Sequence, residues 1–164
     1  MAITQADVDA ALAETPEPQP GSYGDRDSLL YAVAIGMGRD PLDARELEYV
    51  CETVGDRVVP TAATVLARAN RPAGAGLSLL GKMNFALMLH GEQRLVVHQP
   101  LPPAAETLVS SRTTGVFDKG EGKGALVTSE TAVTLADGAP LFTLGSTLFF
   151  RGDDISRQHR QNST

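Results

Sequence analysis

The sequence predicts an α+β fold, with helices on one face of an antiparallel sheet. Two textures carry that reading. Up to about residue 90, apolar residues recur at helical spacing between glycine and proline breaks. Beyond His90, apolar and polar residues alternate over long runs with hairpin signals between them. No helical segment separates those runs, so they pair as a meander. The 164 residues suit one domain, and neither an internal repeat nor a linker divides them.

The elements follow in order. ADVDAALAE, residues 6–14, reads as a short helix with acidic residues towards its start. Pro16, Pro18 and Pro20 then stop any helix, so residues 1–22 are expected to form an extended N-terminal arm. Asp25 or Asp27 can cap the next helix, in which Leu29, Leu30, Val33 and Ala34 make one apolar face. That helix breaks at Gly36 and Gly38. Pro41 or Asp43 opens a second one, with Leu47, Val50 and Cys51 on one face. VVPTAATVLARA, residues 58–69, is rich in small residues and is the expected most buried helix, followed by the loop ANRPAGAG. Residues 77–89 read as a turn or short helix leading into a strand. QRLVVHQ (93–99) is strand-like and ends at Pro100, Pro102 and Pro103. Residues 108–118, 125–135 and 141–150 are the further strands. KGEGK and Asp137-Gly138 are the turns between them.

Composition excludes several classes. Apolar residues are 42% and charged residues 21%, ordinary for a soluble globular domain. A net charge of −6 argues against a nucleic-acid partner. The longest apolar runs, such as 29–37 and 145–150, are too short to span a membrane. The acidic N-terminus lacks a signal-peptide pattern, and the C-terminal RQHRQNST is not a peroxisomal signal. The single cysteine, Cys51, forms no internal disulfide and fits a reducing cytoplasm; it reads as a buried structural thiol. A cytoplasmic location is expected.

Four groups of residues could carry chemistry. The stretch from Tyr31 to Glu52 places a Gly/Asp/Pro loop between two helices. That is a ready anion or thioester-oxygen site, or an inert turn. Within it, Asp40 and Asp43 could work as acid and base, or serve as turn former and cap. His90-Gly91-Glu92-Gln93 reads as a structural strand entry, or as a ligand contact where glycine permits close approach. Lys119 and Lys123 flank a glycine-rich turn that reads as a solvated tip, or as a clamp on phosphate groups. His90, His98 and His159 are scattered and Cys51 has no partner, so no metal set is visible. No G-x-S-x-G elbow is present.

Taken together, LLYAVAIGMGRDPLD, VVPTAATVLA, LHGEQRLVVHQPLPP, VFDKGEGKGALV and STLFFRGD resemble the N-terminal half of hydratase 2. This is the MaoC-like (R)-specific enoyl-CoA hydratase family, as found in the peroxisomal multifunctional enzyme type 2. The resemblance implies a hot-dog domain over residues 23–153, a long helix packed against a curved antiparallel sheet, with a polar tail at 154–164. In that family the C-terminal half carries the catalytic motif D-x-N-P-L-H, whose aspartate and histidine hold the water that is added. Laid on that motif, Gly38 falls where the aspartate belongs and Asp43 where the histidine belongs, with Asp40 at the asparagine. The implied site is degenerate. His90, Gly91 and Lys119 correspond to positions that touch the acyl-CoA.

The resemblance therefore implies a non-catalytic, acyl-CoA-binding subunit of a two-component hydratase. Its substrate would carry a bulky fatty acyl or sterol side chain. A second hot-dog subunit with D-x-N-P-L-H is the expected partner, with a homodimer when the chain is alone, and no cofactor beyond the thioester itself. Two alternatives stand beside it. One is a self-sufficient homo-oligomeric hydratase or thioesterase using Asp40 or Asp43. The other is an acyl-CoA-binding module without chemistry.

Overall fold

One five-stranded antiparallel sheet organises the chain in the computed structural model, which describes residues 3–66, 78–152 and 155–156. Its strands are β2 (Gln19–Tyr23), β3 (Met88–Val97), β4 (Ala105–Asp118), β5 (Ala125–Leu135) and β6 (Pro140–Phe150), in the spatial order β2-β4-β5-β6-β3. The strand-rich second half is thus as expected. Each strand is set by period-two alternation. In β4 the inward positions Thr107, Val109, Ser111 and Thr113 are all buried, while Arg112 and Thr114 face out. Register shifts at His90/Glu92 on β3 and Thr113/Gly115 on β4 mark two bulges, which bend the sheet.

The helices lie on the inner face in short pieces. They are α1 (Gln5–Ala13), α2 (Asp25–Ala34), α3 (Ala44–Val50) and α4 (Ala63–Leu66), the last entered through a 3-10 turn at Pro60–Ala62. The longest helix among the described residues is α2, with ten residues. Gly36 and Gly38 stop it at positive φ, and Pro60 opens the 3-10 turn that leads into α4. Ala62, Ala63 and Leu66 are buried, as the small-residue segment predicts, although Val65 faces out. The rest of that segment, the ANRPAGAG loop and His159 lie outside the described residues.

The short helix expected at residues 6–14 forms as α1, with Thr4 and Asp7 making a reciprocal capping box. Three expectations are corrected. The first concerns the end of the N-terminal arm, where residues 19–23 pair with β4 as an edge strand. An edge strand tolerates Pro20 because its missing N–H can face away from the ladder. The second concerns α2. Its inward residues are Ser28 and Ala32, whereas Leu30 and Val33 are more than half exposed. Short side chains let the helix approach the 101–103 segment closely enough for Ser28 Oγ to donate to the Pro103 carbonyl at 2.8 Å. The third is Cys51, which is only half-buried and ends α3 as its C-cap. The Thr53 hydroxyl, 3.3 Å away, lowers its thiol below the usual range.

The core falls into two clusters along the sheet. One gathers Tyr23, Ala62, Leu66, Val109, Val133 and Phe142. The other gathers Val8, Leu79, Met83, Ala125, Val127 and Phe150, and is closed by Ile3 of β1 (Ile3–Thr4) and Ile155 of β7 (Ile155–Ser156), which pair in parallel. No helix among the described residues is long and apolar enough to cross a membrane.

Candidate functional site

The loop between α2 and α3 is built around Gly38. Its φ is +76°, and a Cβ there would sit 2.6 Å from Val50 Cγ2, so a side chain would be strained and would have to displace Val50. Its N–H donates to Glu46 Oε2 at 2.8 Å. Both glycine N–H groups of the loop are therefore taken, that of Gly38 by a carboxylate of α3 and that of Gly36 by the Val33 carbonyl at 3.0 Å. Asp40 Oδ1 accepts from the Leu42 N–H at 2.9 Å, a side-chain turn of the usual Asx kind. Asp43 is the N-cap of α3 and accepts from the Arg45 N–H at 3.0 Å. The Arg45 guanidinium bonds both of its oxygens, at 3.2 and 3.1 Å. That guanidinium, then the Arg45 N–H, hold the Asp43 carboxyl below its usual range. The Asp43 carboxylate is thus committed to capping α3 and to Arg45.

His90, Gly91 and Lys119 lie at one end of the sheet. Gly91 is the extra residue of the β3 bulge, where a Cβ would stand 3.3 Å from the Thr147 carbonyl oxygen. The His90 ring is exposed, with Nε2 2.9 Å from the Glu92 carbonyl oxygen. Lys119 opens the β4–β5 turn. Its N–H donates to the Gly124 carbonyl at 3.0 Å, and the Lys123 N–H closes onto Gly120 at 2.9 Å. Gly124 has φ +80°, and a Cβ on it would collide with the Phe150 carbonyl, so the turn has one shape. Asp118, Ala125, Phe150 and Met88 form one cross-strand row, placing this turn and the start of β3 about 14 Å apart, three strand spacings. The Gly38 loop is not part of this cluster: its bonds run to α3, which packs towards Val97 at the other end of β3.

Two clefts lie elsewhere. One of about 810 Å³ is lined by Tyr49, Arg57, Val58, Val97, His98 and Leu101. Another of about 600 Å³ crosses the outer face over Gly145, between Arg94 and Glu130. Glu92 and Gln93 of the HGEQ cluster line the second of these, and neither cleft is lined by His90, Gly91, Lys119 or the Gly38 loop. Sequence reasoning also passed over Glu46 and Val50, which occupy the space around Gly38. Their spacing of eight and twelve residues from that glycine carries no recognisable signal. No cluster of metal-ligating residues occurs among the described residues.

Comparison with known proteins follows the same lines. The family model for the MFE-2 hydratase 2 N-terminal domain matches residues 22–152. Enoyl-CoA hydratase ChsH3 of Mycobacterium tuberculosis is 32% identical over 148 residues, covering 90% of this chain and 51% of that protein. The chain spans about half the length of that relative. A MaoC-like dehydratase from Phytophthora capsici superposes with a TM-score of 0.72 at 24% identity, over 96% of this chain and 54% of that one. A chain of the ChsH1–ChsH2 complex of Mycobacterium tuberculosis shares the fold, with a TM-score of 0.59 at 15% identity, over 92% of this chain and 95% of that one.

Proposed function

The chain belongs to the MFE-2 hydratase 2 N-terminal domain family, and from that premise we propose that it is the non-catalytic, acyl-CoA-binding subunit of a two-component (R)-specific 2-enoyl-CoA hydratase. The observation that carries this reading is Gly38. Laid on the family's motif, Gly38 takes the place of the catalytic aspartate, and a Cβ there would press on Val50. The second hot-dog subunit, bearing D-x-N-P-L-H, supplies the aspartate and histidine that hold water. The water oxygen adds to C3 of a trans-2-enoyl-CoA and a proton goes to C2, giving the 3R-hydroxyacyl-CoA. This chain contributes His90 and Gly91 beside the acyl-CoA and Lys119 towards its phosphates, and makes room for a bulky fatty acyl or sterol tail. No cofactor enters.

An open edge supports the partner. β3 bonds to β6 on one side and is the last strand of the sheet, so its other edge pairs with nothing among the described residues. Ten residues of open strand are a template for a second chain. Sheets of this fold occur in a two-component assembly, the ChsH1–ChsH2 complex. The rival reading, a self-sufficient enzyme using Asp40 or Asp43, is weakened by the engagement of both Asp43 oxygens with Arg45 and of Asp40 Oδ1 with the Leu42 N–H.

The test is hydration of crotonyl-CoA and longer enoyl-CoAs. The purified chain is expected to be silent, and a mixture with a D-x-N-P-L-H hot-dog subunit active. Enzyme-like turnover by the chain alone would refute the reading.

A further inference from the structure

Val116, Val127 and Leu148 point to the core, so by alternation their neighbours point out from the other face of the sheet. Cross-strand register gathers those outward residues into rows running from β5 over β6 to β3. The row at the Lys119 end is Leu126, Phe149 and Leu89, and Phe117 extends it onto β4. Leu89 and Phe117 are 47% and 54% exposed, so an apolar stripe faces water here. The next row is Thr128, Thr147 and Glu92, and the one after it Glu130, Gly145 and Arg94. Gly145 has no side chain to fill the space between those two charges, and the cleft of about 600 Å³ opens there. Arg112 donates to Glu130 Oε1 at 3.0 Å, and a carboxylate has a second oxygen to offer. Arg94 is exposed and makes no ion pair among the described residues. A further row is Ala132, Thr143 and Val96.

We infer that this face is an isologous interface between two copies of the chain, related by a two-fold axis that runs along β6. Such an axis lays β5 of one copy over β3 of the other, and β6 over itself. Every row then meets its own reverse. Glu130 faces Arg94 of the other copy, and by symmetry this happens twice. Leu126 faces Leu89, Phe149 faces Phe149, and Ala132 faces Val96. Thr128 faces Glu92, to which its hydroxyl can donate. Gly145 meets Gly145, which lets the two sheets close where the cleft now lies. The charges select this axis. Moved onto β5 it would set Glu130 against Glu130, and moved between β5 and β6 it would set Arg112 against Arg94. Three strands, about 10 Å across, suffice for the contact, so the bend of the sheet leaves room for it. The open edge of β3 points sideways out of the contact and stays free for a second hot-dog subunit. This interface does not depend on acyl-CoA binding.

Sedimentation velocity on the full chain tests it. The wild type is expected to run as a dimer at micromolar concentration. Arg94→Glu sets acidic groups face to face at both contacts, and Glu130→Arg sets basic ones. Each variant alone should therefore dimerise at least about tenfold more weakly, with an unchanged circular dichroism spectrum. A mixture of the two variants rebuilds both ion pairs and should regain the dimer. Glu130→Lys replaces the arginine variant if that does not fold. A monomeric wild type would overturn the interface. So would a dimer that survives either charge reversal, or one that mixing does not restore, because pairing through the β3 edge leaves Glu130 out of the contact.

Discussion

At Gly38 two constraints act on one atom position. The backbone is left-handed, and Val50 Cγ2 already occupies the space a Cβ would need. Restoring an aspartate there is therefore expected to cost about 2–4 kcal/mol, from the left-handed conformation and the overpacking together. Urea unfolding of Gly38→Asp measures it, and no hydration by the variant alone should accompany the loss. Tyr23 offers a second test. It is buried, its hydroxyl donates to the Pro102 carbonyl at 2.9 Å, and burial pushes its phenol up to about 12. Its contribution is intact below the unfolded pKa near 10 and is lost as pH rises towards the folded value, because only the unfolded chain ionises in between. Stability should fall by up to about 2.5 kcal/mol over that interval, and Tyr23→Phe should flatten the decline. Residues are where the sequence was least legible. The run LVSSRTTG carries hydroxyls on both faces of its strand, so nothing marked Thr113 as the buried, unpaired one. Cys51 sat at helical spacing with Leu47 and Val50, but α3 ends there and the half-buried thiol turns to Thr53 instead.

Among the elements, α2 shows why an apolar face need not be the buried one. Spacing selected Leu30 and Val33, yet close approach to the 101–103 segment needs small side chains, and Ser28 and Ala32 supply them. Val33→Gln is expected to change the stability of the lone chain by no more than about 0.5 kcal/mol, and Ala32→Leu to cost about 1–3 kcal/mol by overpacking. Thermal melts of the two variants rank them, and the reverse order would mean that α2 is turned the other way. The helix α1 is held from its first turn. Asp7 accepts from Lys82 at 2.5 Å and from the Thr4 N–H at 2.9 Å, and the Lys82 bond, then those from Thr4, keep its carboxyl well below the usual range. A depressed carboxylate stabilises above the ordinary range near pH 4 and less as pH falls through its folded value. Asp7→Asn should therefore speed amide exchange in α1 at neutral pH, and the difference from wild type should shrink on strong acidification. Strands were easier to read than helices, because alternation over ten or more residues outlasts a misplaced boundary, whereas glycines and prolines cut the helical half into pieces too short for their spacing to fix a face.

For the whole molecule, the meander after His90 and the ordered motifs HGEQ, PLPP and DKGEGKGA sufficed to indicate an α+β hot-dog sheet, and this protein shares it with its MaoC-like neighbours. How the candidate residues group was not legible, since it depends on register. Pairing of β3 with β6, and of β4 with β5, sets His90, Gly91 and Lys119 at one end of the sheet, while the Gly38 loop folds onto α3. The proposed function assigns acyl-CoA binding to that end and leaves the base to the partner, so the two tasks fall on separate parts of the molecule. The most direct measurement is the hydration rate of a long-chain trans-2-enoyl-CoA at fixed concentration of a D-x-N-P-L-H subunit, with increasing amounts of this chain. The rate is expected to rise and saturate at equal amounts of the two, and to fall when Lys119→Ala replaces the wild type at subsaturating substrate. A rate that ignores the added chain, or one that this chain sustains with no partner present, would contradict the proposal.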